Sequence, residues 1–178
     1  SKKNGIRQCY NYYGRGEFAD MKRGVDYIGV GIGAVIFNEE GKIFLGKRGK
    51  KARNEAGKWE CPGGALEFGE SFEDTLIREM KEEFDIDIEV IDQLAAFNHL
   101  IPEDRQHWVA LAFLCRIKSG TPKILEPEKC DEIGWFTLNE MRKMPLTIAS
   151  ARRLKQILER KYVSGLPWAK KNNKKGIK

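Results

Sequence analysis

The stretch from Ser71 to Phe84 constrains the fold of this chain more than any other, because its apolar residues recur every four positions. That period gives one apolar stripe along an α-helix, which must pack against a core. Ser71 is a good N-cap, and Asp74, three residues later, completes a capping box. The apolar positions are Phe72, Leu76, Met80 and Phe84. We therefore predict a helix over about 72–84.

The remaining hydrophobic patterns place strands on both sides of this helix. A turn signal at 38–41 joins the first two strands into a hairpin. An amphipathic helix over about 146–162 ends the pattern. The predicted strands are Tyr27–Asn38, Lys42–Arg48, Ile86–Phe97, His107–Ile117 and Ile133–Phe136. Strands, helix, strands and helix in this order predict an α+β domain with a mixed sheet between helices.

The net charge of +6 lies in the two ends of the chain. Residues 1–24 hold six Lys and Arg against two acids, and residues 163–178 hold five Lys and no acid. The body between them is therefore mildly acidic, which makes nucleic acid an unlikely partner despite the basic ends. We predict an N-terminal extension over 1–25, one domain over 26–163 and a basic C-terminal tail over 164–178.

The apolar runs and the cysteines indicate the compartment. The longest mostly apolar run, Tyr27–Phe37, is too short to span a bilayer, and the first residues lack the pattern of a secretory signal. We therefore expect a cytoplasmic protein with no membrane partner. The four cysteines form no C-x-x-C pair, so we expect reduced thiols and no sulfur-bound metal site.

Three acids of the predicted helix, Glu79, Glu82 and Glu83, lie at positions i, i+3 and i+4 and share one helix face. Their repulsion destabilises an isolated helix by a few tenths of a kcal/mol per close pair. A solvated face or a bound hard cation offsets this repulsion, and Mg²⁺ or Mn²⁺ on a phosphate fits oxygen ligands well. Arg78, beside this face, can hold one carboxylate in position.

The acids continue a longer pattern: Gly64, five residues, Glu70, seven residues, then Arg78-Glu79-Met80 and Glu82-Glu83. This pattern resembles the Nudix box, G-x5-E-x7-R-E-U-x-E-E-x-G-U, where U is apolar. The chain is similar to the Nudix hydrolases, the superfamily of the MutT proteins, over about 27–162. Asp85 stands where the box has glycine, and Asp is among the better substitutes in a left-handed conformation.

The resemblance implies an α/β/α sandwich that hydrolyses a nucleoside diphosphate linked to a further group, with two or three Mg²⁺ ions. Glu79 or a glutamate of a later loop is the implied general base, and Arg78 and Glu82 complete the implied catalytic set. The implied metal ligands are Glu79 and Glu83, with Glu82, the early box residue Glu70, and the carbonyl of Gly63 or Gly64.

Stretches outside the box resemble Nudix enzymes that act on (deoxy)nucleoside triphosphates. Arg48 matches a phosphate-contacting position or is a solvated strand end, and Trp59 either stacks on a base or packs in the core. His107 is a substrate contact or an ordinary strand histidine. Glu128 and Glu126 are late-loop acids suited to a base or ligand role, or plain surface acids. Ala65 replaces the histidine that often follows Pro-Gly-Gly in that branch.

We expect cleavage of a (d)NTP into (d)NMP and pyrophosphate. One alternative is an ADP-ribose or nucleotide-sugar diphosphatase, suggested by Pro102, which stands 16 residues past Ile86. Another is a non-catalytic Nudix-fold sensor or RNA-binding module with the basic ends as docking arms. The base and the sugar are not encoded in any pattern we can interpret. Dimers are common in the family, and nothing in the sequence fixes an interface.

Overall fold

The computed structural model describes residues 21–52 and 54–159. Within these residues eight strands form one mixed sheet. The strands are β1 (Gly29–Phe37), β2 (Ile43–Arg48), β3 (Trp59–Glu60), β4 (Gly63–Ala65), β5 (Asp87–Gln93), β6 (Phe97–Ile101), β7 (Gln106–Ser119) and β8 (Cys130–Phe136). The helices are α1 (Phe72–Phe84), α2 (Leu138–Met141) and α3 (Ile148–Glu159), and a 3₁₀ turn covers Pro102–Asp104.

The centre of the sheet is the parallel pair β1 and β7, in register from Gly29 opposite Trp108 to Phe37 opposite Arg116. The other pairings are antiparallel: β2 and β4 with β1, β3 and β8 with β2, and β5 and β6 with β7. The sheet is therefore mixed, as predicted.

Alternate residues of β1 face two separate cores, as the two-residue period of a strand requires. One core joins the sheet to α1 and includes Ile32, Ala34, Ile36, Leu76, Met80 and Phe84. The other joins the opposite face to α2 and α3 and includes Val35, Phe37, Met141, Leu154 and Ile157. This arrangement confirms the predicted α/β/α sandwich.

Helix α1 begins and ends as its sequence predicts. The Ser71 hydroxyl accepts a hydrogen bond from the Asp74 N–H at 3.1 Å, and the Asp74 carboxylate accepts one from the Ser71 N–H at 3.4 Å. Asp85 ends the helix in the left-handed conformation, with φ 54°. Lys81 and Lys123 each lie 2.8 Å from its carboxylate. Asp85 thus occupies the conformation that the box normally gives to glycine.

The prediction of one strand over Ile86–Phe97 is wrong. Leu94 is buried in the core and its N–H donates to the Ala112 carbonyl, which separates β5 from β6. The two strands then pair with different halves of β7.

The last helix begins at Ile148 and not at residue 146, because Leu146 forms a bridge with Trp59. The Thr147 hydroxyl accepts from the Ser150 N–H at 3.3 Å at this helix start. The short helix α2 is an element that the hydrophobic pattern did not predict.

Several predictions concern the ends and the thiols of the chain. The extension and the basic tail lie almost wholly outside the described residues, as does Cys9. Cys61, Cys115 and Cys130 are free thiols, as expected. None of the helices in the described part of the chain has the length and apolar character needed to cross a bilayer.

Candidate active site

A pocket of about 270 Å³ opens beside the C-terminal half of α1, and we call it the acidic pocket. Its acids come from three elements: α1, β3 and the loop before β8. The residues that define it are Arg48, Glu60, Gly63, Glu83, Glu126 and Glu128. Four carboxylates around one small space form an environment suited to cations.

Glu83 is the least compensated acid of this pocket. No side chain in the described ranges donates a hydrogen bond to its carboxylate. Burial raises the pKa of Glu83 to about 8, and the neighbouring charges of Glu79, Glu60 and Glu126 add to this rise. Lys129 opposes the rise but lies closest to Glu126, whose carboxylate it contacts at 2.8 Å. The pocket therefore holds excess negative charge when Glu83 ionises.

Arg78 gathers the other box acids on the neighbouring side of α1. Its Nε lies 2.7 Å from Glu70, and its Nη1 lies 2.7 Å from Glu79 and 3.3 Å from Glu82. The Thr75 hydroxyl also donates to Glu70, at 2.8 Å. Hydrogen bonding to Arg78 is the main cause that lowers the pKa of Glu70 to about 2. One guanidinium thus fixes three of the acids that the sequence singled out.

Strand β4 brings the main chain against Glu79. A β-carbon at Gly64 would overlap the Glu79 carboxylate, so a larger residue there would require this carboxylate to move. The preceding residue, Gly63, has φ 154° and lines the acidic pocket. The two backbone carbonyls named in the sequence therefore lie in the same small region as the acids of α1.

The donor set fits a hard divalent cation in its chemistry, since it consists of carboxylate oxygens next to a glycine main chain. It is not assembled in advance: residues 21–52 and 54–159 contain no group of three His, Cys, Asp or Glu already arranged to hold an ion. Arg78 occupies one oxygen of Glu79, and the Glu82 side chain is 59% exposed. The ligand roles of Glu70, Glu79, Glu82 and Glu83 stay predictions.

A second pocket, of about 290 Å³, adjoins the acidic pocket and shares Arg48, Glu60 and Gly63 with it. It lies over the sheet face that carries α3. We call it the donor pocket, after the nitrogen atoms of its side chains. The residues that define it are Gly31, Gly33, His99, Gln106, Trp108 and Arg153.

The predicted substrate contacts are distributed unevenly over these pockets. Arg48 lines both pockets and donates to the Glu60 carboxylate at 2.8 and 3.0 Å. Glu128 lines the acidic pocket. Trp59 is 8% exposed and packs edge-on against Phe136, with ring centroids 4.8 Å apart.

His107 also lies outside both pockets, with Nε2 3.3 Å from the Asn98 side-chain oxygen. The substrate contacts predicted for Trp59 and His107 therefore find no support in their positions. The reason is strand register: His107 points away from the sheet face that Gln106 and Trp108 share. Sequence reasoning missed His99, Gln106, Trp108 and Arg153. The one available signal was Arg153, which interrupts the apolar side of the last helix.

Comparison with known proteins places this geometry in a family. The NUDIX domain family model matches residues 28–157. The crystal structure of a MutT NUDIX hydrolase from Burkholderia pseudomallei superposes with a TM-score of 0.68 at 37% identity, covering 74% of this chain and 98% of that one.

Two curated relatives of this chain are named after an enzymatic activity. The 8-oxo-dGDP phosphatase NUDT18 of Danio rerio is 34% identical over 103 residues, which are 58% of this chain and 29% of the relative. An ADP-ribose pyrophosphatase of Methanocaldococcus jannaschii is 30% identical over 109 residues, 61% of this chain and 62% of the relative. The chain thus spans less than two thirds of either relative. The match of a NUDIX model to most of the chain shows that this protein belongs to the Nudix family.

Proposed function

We propose that the chain hydrolyses the phosphoanhydride bond of a nucleoside diphosphate linked to a further group. A (d)NTP, cleaved to (d)NMP and pyrophosphate, is the substrate class that the sequence favours. The observation that carries the proposal is the acidic pocket, where Glu83, Glu60 and Glu126 meet beside the glycine main chain of β4. Family membership and the names of the relatives support the same reaction type.

A divalent cation, Mg²⁺ or Mn²⁺, is part of this proposal. Glu79 and Glu83 would hold it, with Glu82, Glu70 and the carbonyl of Gly63 or Gly64 as further ligands. When bound, such a cation neutralises phosphate oxygens and lowers the pKa of a coordinated water. Because carboxylates bind metals in the ionised form, binding at neutral pH releases the proton that Glu83 retains in the metal-free protein.

The chain's own residues have separate tasks in the proposed reaction. A water oxygen forms the new bond to phosphorus, and the leaving phosphate takes the electron pair of the broken anhydride bond. Glu79, or a late-loop acid such as Glu126 or Glu128, accepts the water proton. Arg78 orients Glu79, from 2.7 Å away. Arg48, which lines both pockets, is suited to donate to phosphate oxygens.

A panel of nucleoside triphosphates, ADP-ribose and nucleotide sugars tests this proposal, with malachite-green detection of phosphate after added pyrophosphatase. We expect Mg²⁺-dependent release of NMP and pyrophosphate, reduced on the order of 100-fold or more in Glu83→Gln. Glu82→Gln should also lower turnover. Glu89→Gln, on the exposed side of β5, is the matched control. Undiminished turnover in both Glu83→Gln and Glu82→Gln refutes the assigned roles.

A second candidate is diphosphatase activity on ADP-ribose or a nucleotide sugar. It is supported by the match to a relative named as an ADP-ribose pyrophosphatase. The products distinguish the two candidates, because this activity yields AMP and a sugar phosphate and no pyrophosphate. Nucleotide binding without any cleavage would favour the non-catalytic sensor instead.

A further inference from the structure

The donor pocket contains buried hydrogen-bond donors that have no partner. Gln106 Nε2, Arg153 Nε and His99 Nε2 are buried atoms without a hydrogen bond in the described part of the chain. The Gln106 and Arg153 residues are only 5% and 6% exposed. Because buried polar groups in proteins are almost always paired, three such atoms lining one pocket indicate a ligand that supplies acceptors.

The orientation of the Gln106 amide is fixed by its neighbour on β7. The indole N–H of Trp108 donates to the Gln106 side-chain oxygen at 2.9 Å. An indole N–H can only donate, so the oxygen of the amide must face Trp108 and the NH₂ group must face elsewhere. Gln106 therefore offers the pocket the two N–H donors of its amide group.

Arg153 is a buried cation that makes no direct ion pair among residues 21–52 and 54–159, although the charge of Glu60 lies near enough to interact with it. Its guanidinium lies against Gly33, where a β-carbon would overlap it. Its Nη1 donates to the Cys61 carbonyl at 3.4 Å, and its side chain also interacts with the Cys61 thiol. Burial lowers the pKa of His99, which favours a neutral ring beside this guanidinium. The remaining guanidinium N–H groups are available to a ligand.

The shape of the pocket favours a flat ligand. Gly31 lies directly opposite Ala110 in the parallel pair, so this part of the sheet carries almost no side chain. Trp108 lines one side of the same pocket. Two carboxylates, Glu55 and Glu60, also line the pocket, and each is already paired with a cation, Lys58 and Arg48 respectively. A planar ring with acceptors along one edge meets all of these conditions.

We propose that the donor pocket is the base subsite and selects a 6-oxopurine, whose O6 and N7 accept hydrogen bonds from Gln106 and Arg153. Guanine and hypoxanthine present two adjacent acceptors on this edge, whereas adenine presents a donor amine beside N7. The inference rests on the proposed function for its ligand class, a nucleotide, and adds the base that the site prefers.

Binding of nucleosides without metal tests the subsite apart from any chemistry. We expect guanosine and inosine to bind more tightly than adenosine by about 5- to 150-fold, measured by calorimetry. 7-Deazaguanosine, which lacks the N7 acceptor, should bind more weakly than guanosine. The Trp108 indole resonance, assigned with Trp108→Phe, should shift on guanosine binding. Inorganic phosphate should not displace guanosine.

Two pairs of variants test which residues determine the preference for guanosine over adenosine. Gln106→Glu keeps an acceptor for Trp108 but removes the donors, and should lower the guanosine preference at least about 5-fold. Gln93→Glu makes the same change at an exposed position of β5 and should leave the preference unchanged. Arg153→Lys removes the planar fork and should also weaken guanosine binding, whereas Arg152→Lys, at the neighbouring exposed position, should not.

Four results would overturn the inference. They are equal affinity for guanosine and adenosine, absence of nucleoside binding, displacement of guanosine by phosphate, and an unchanged preference in folded Gln106→Glu. If that variant does not fold, the comparison of guanosine with 7-deazaguanosine on the native chain decides. Nucleoside preference without cleavage of any nucleotide would contradict the proposed function alone, and cleavage without base preference would contradict the subsite alone.

Discussion

Glu70 and Glu83 belong to one motif, yet the fold surrounds their carboxylates in opposite ways. Glu70 accepts hydrogen bonds from Arg78 and Thr75, and the Arg78 interaction lowers its pKa to about 2. Glu83 receives no hydrogen bond from any described side chain, and burial raises its pKa to about 8. The comparison separates the acids of the box into a braced group around Arg78 and an uncompensated acid at the pocket.

The difference follows from position on the helix. Arg78 reaches back to Glu70 and sideways to Glu79, so these acids keep their charge without a ligand. Glu83 lies one turn beyond Glu79, facing Glu60 and Glu126 across the pocket. We infer that the acids held by Arg78 keep the side chains of the site in place. Glu83, in contrast, is the acid whose ionisation changes when a cation binds.

Among variants that keep every acid of the box, removal of the Arg78 guanidinium gives the largest expected effect. Arg78→Met leaves Glu70 and Glu79 without their main donor, and loss of such a positioning partner lowers metal affinity or activity by about 10- to 100-fold. Titration of turnover with Mg²⁺ measures both. Arg116→Met removes an exposed ion pair with Glu89 and is the control. If both variants had the same Mg²⁺ affinity and turnover, the distinction between the acids held by Arg78 and Glu83 would be wrong.

Addition of Mg²⁺ should stabilise the metal-free protein against heat. A ligand at about 100 times its Kd stabilises by about 2.7 kcal/mol. Thermal unfolding at pH 8 with Mg²⁺, and again after excess EDTA, measures this gain. In Glu83→Gln most of the gain should disappear. A gain of the same size in that variant would mean that the cation binds elsewhere.

The pH dependence of stability should reveal Glu83 in the absence of metal. Because its pKa is raised in the folded state, its contribution is fully present below about pH 4.5 and is lost as the pH rises through about 8. Glu83→Gln should therefore be more stable than the native chain at pH 9, by about 1–3 kcal/mol, and similar at about pH 4. Denaturant unfolding in EDTA at both values measures the difference.

The control for this experiment is Glu82→Gln, because the Glu82 side chain is 59% exposed. It should follow the native chain at both pH values. The Glu70 contribution has the opposite sign: its lowered pKa gives stability that is present above about pH 4.5 and is lost as the pH falls towards 2.

Substitution at the helix end gives the smallest expected effect. Asp85→Gly relieves the left-handed conformation but removes the contacts with Lys81 and Lys123. These contributions oppose each other, so we expect Tm to change by no more than about 3 °C. Asp85→Ala, which keeps the strain and loses both contacts, should lower Tm further. A large increase of Tm in Asp85→Gly would show that Asp85 destabilises this end of the helix.

The sequence predicted those parts of the site that depend on local rules. Capping, helical spacing and the fixed spacing of the box predict Glu79 and Glu83 on one helix and Glu70 just before it. The same rules left two interpretations open for Trp59 and for His107, because the surroundings of these residues depend on which strands pair and in what register. That register follows from long-range contacts such as Leu94 with Ala112, which no local pattern encodes.

The donor pocket could not be predicted for the same reason. Its polar residues come from β6, β7 and α3, which are separated in the chain and adjacent only after folding. Arg153 is visible in the sequence as a charge on an apolar helix side, but the position of its guanidinium, on which its proposed ligand role rests, depends on Gly33, 120 positions earlier.

The contact between Gly33 and Arg153 couples two distant positions in evolution. A β-carbon at position 33 would meet the guanidinium, so a larger residue there requires the Arg153 side chain to leave its present position. Among homologues, the two sites should therefore vary together, with arginine at one accompanied by glycine at the other.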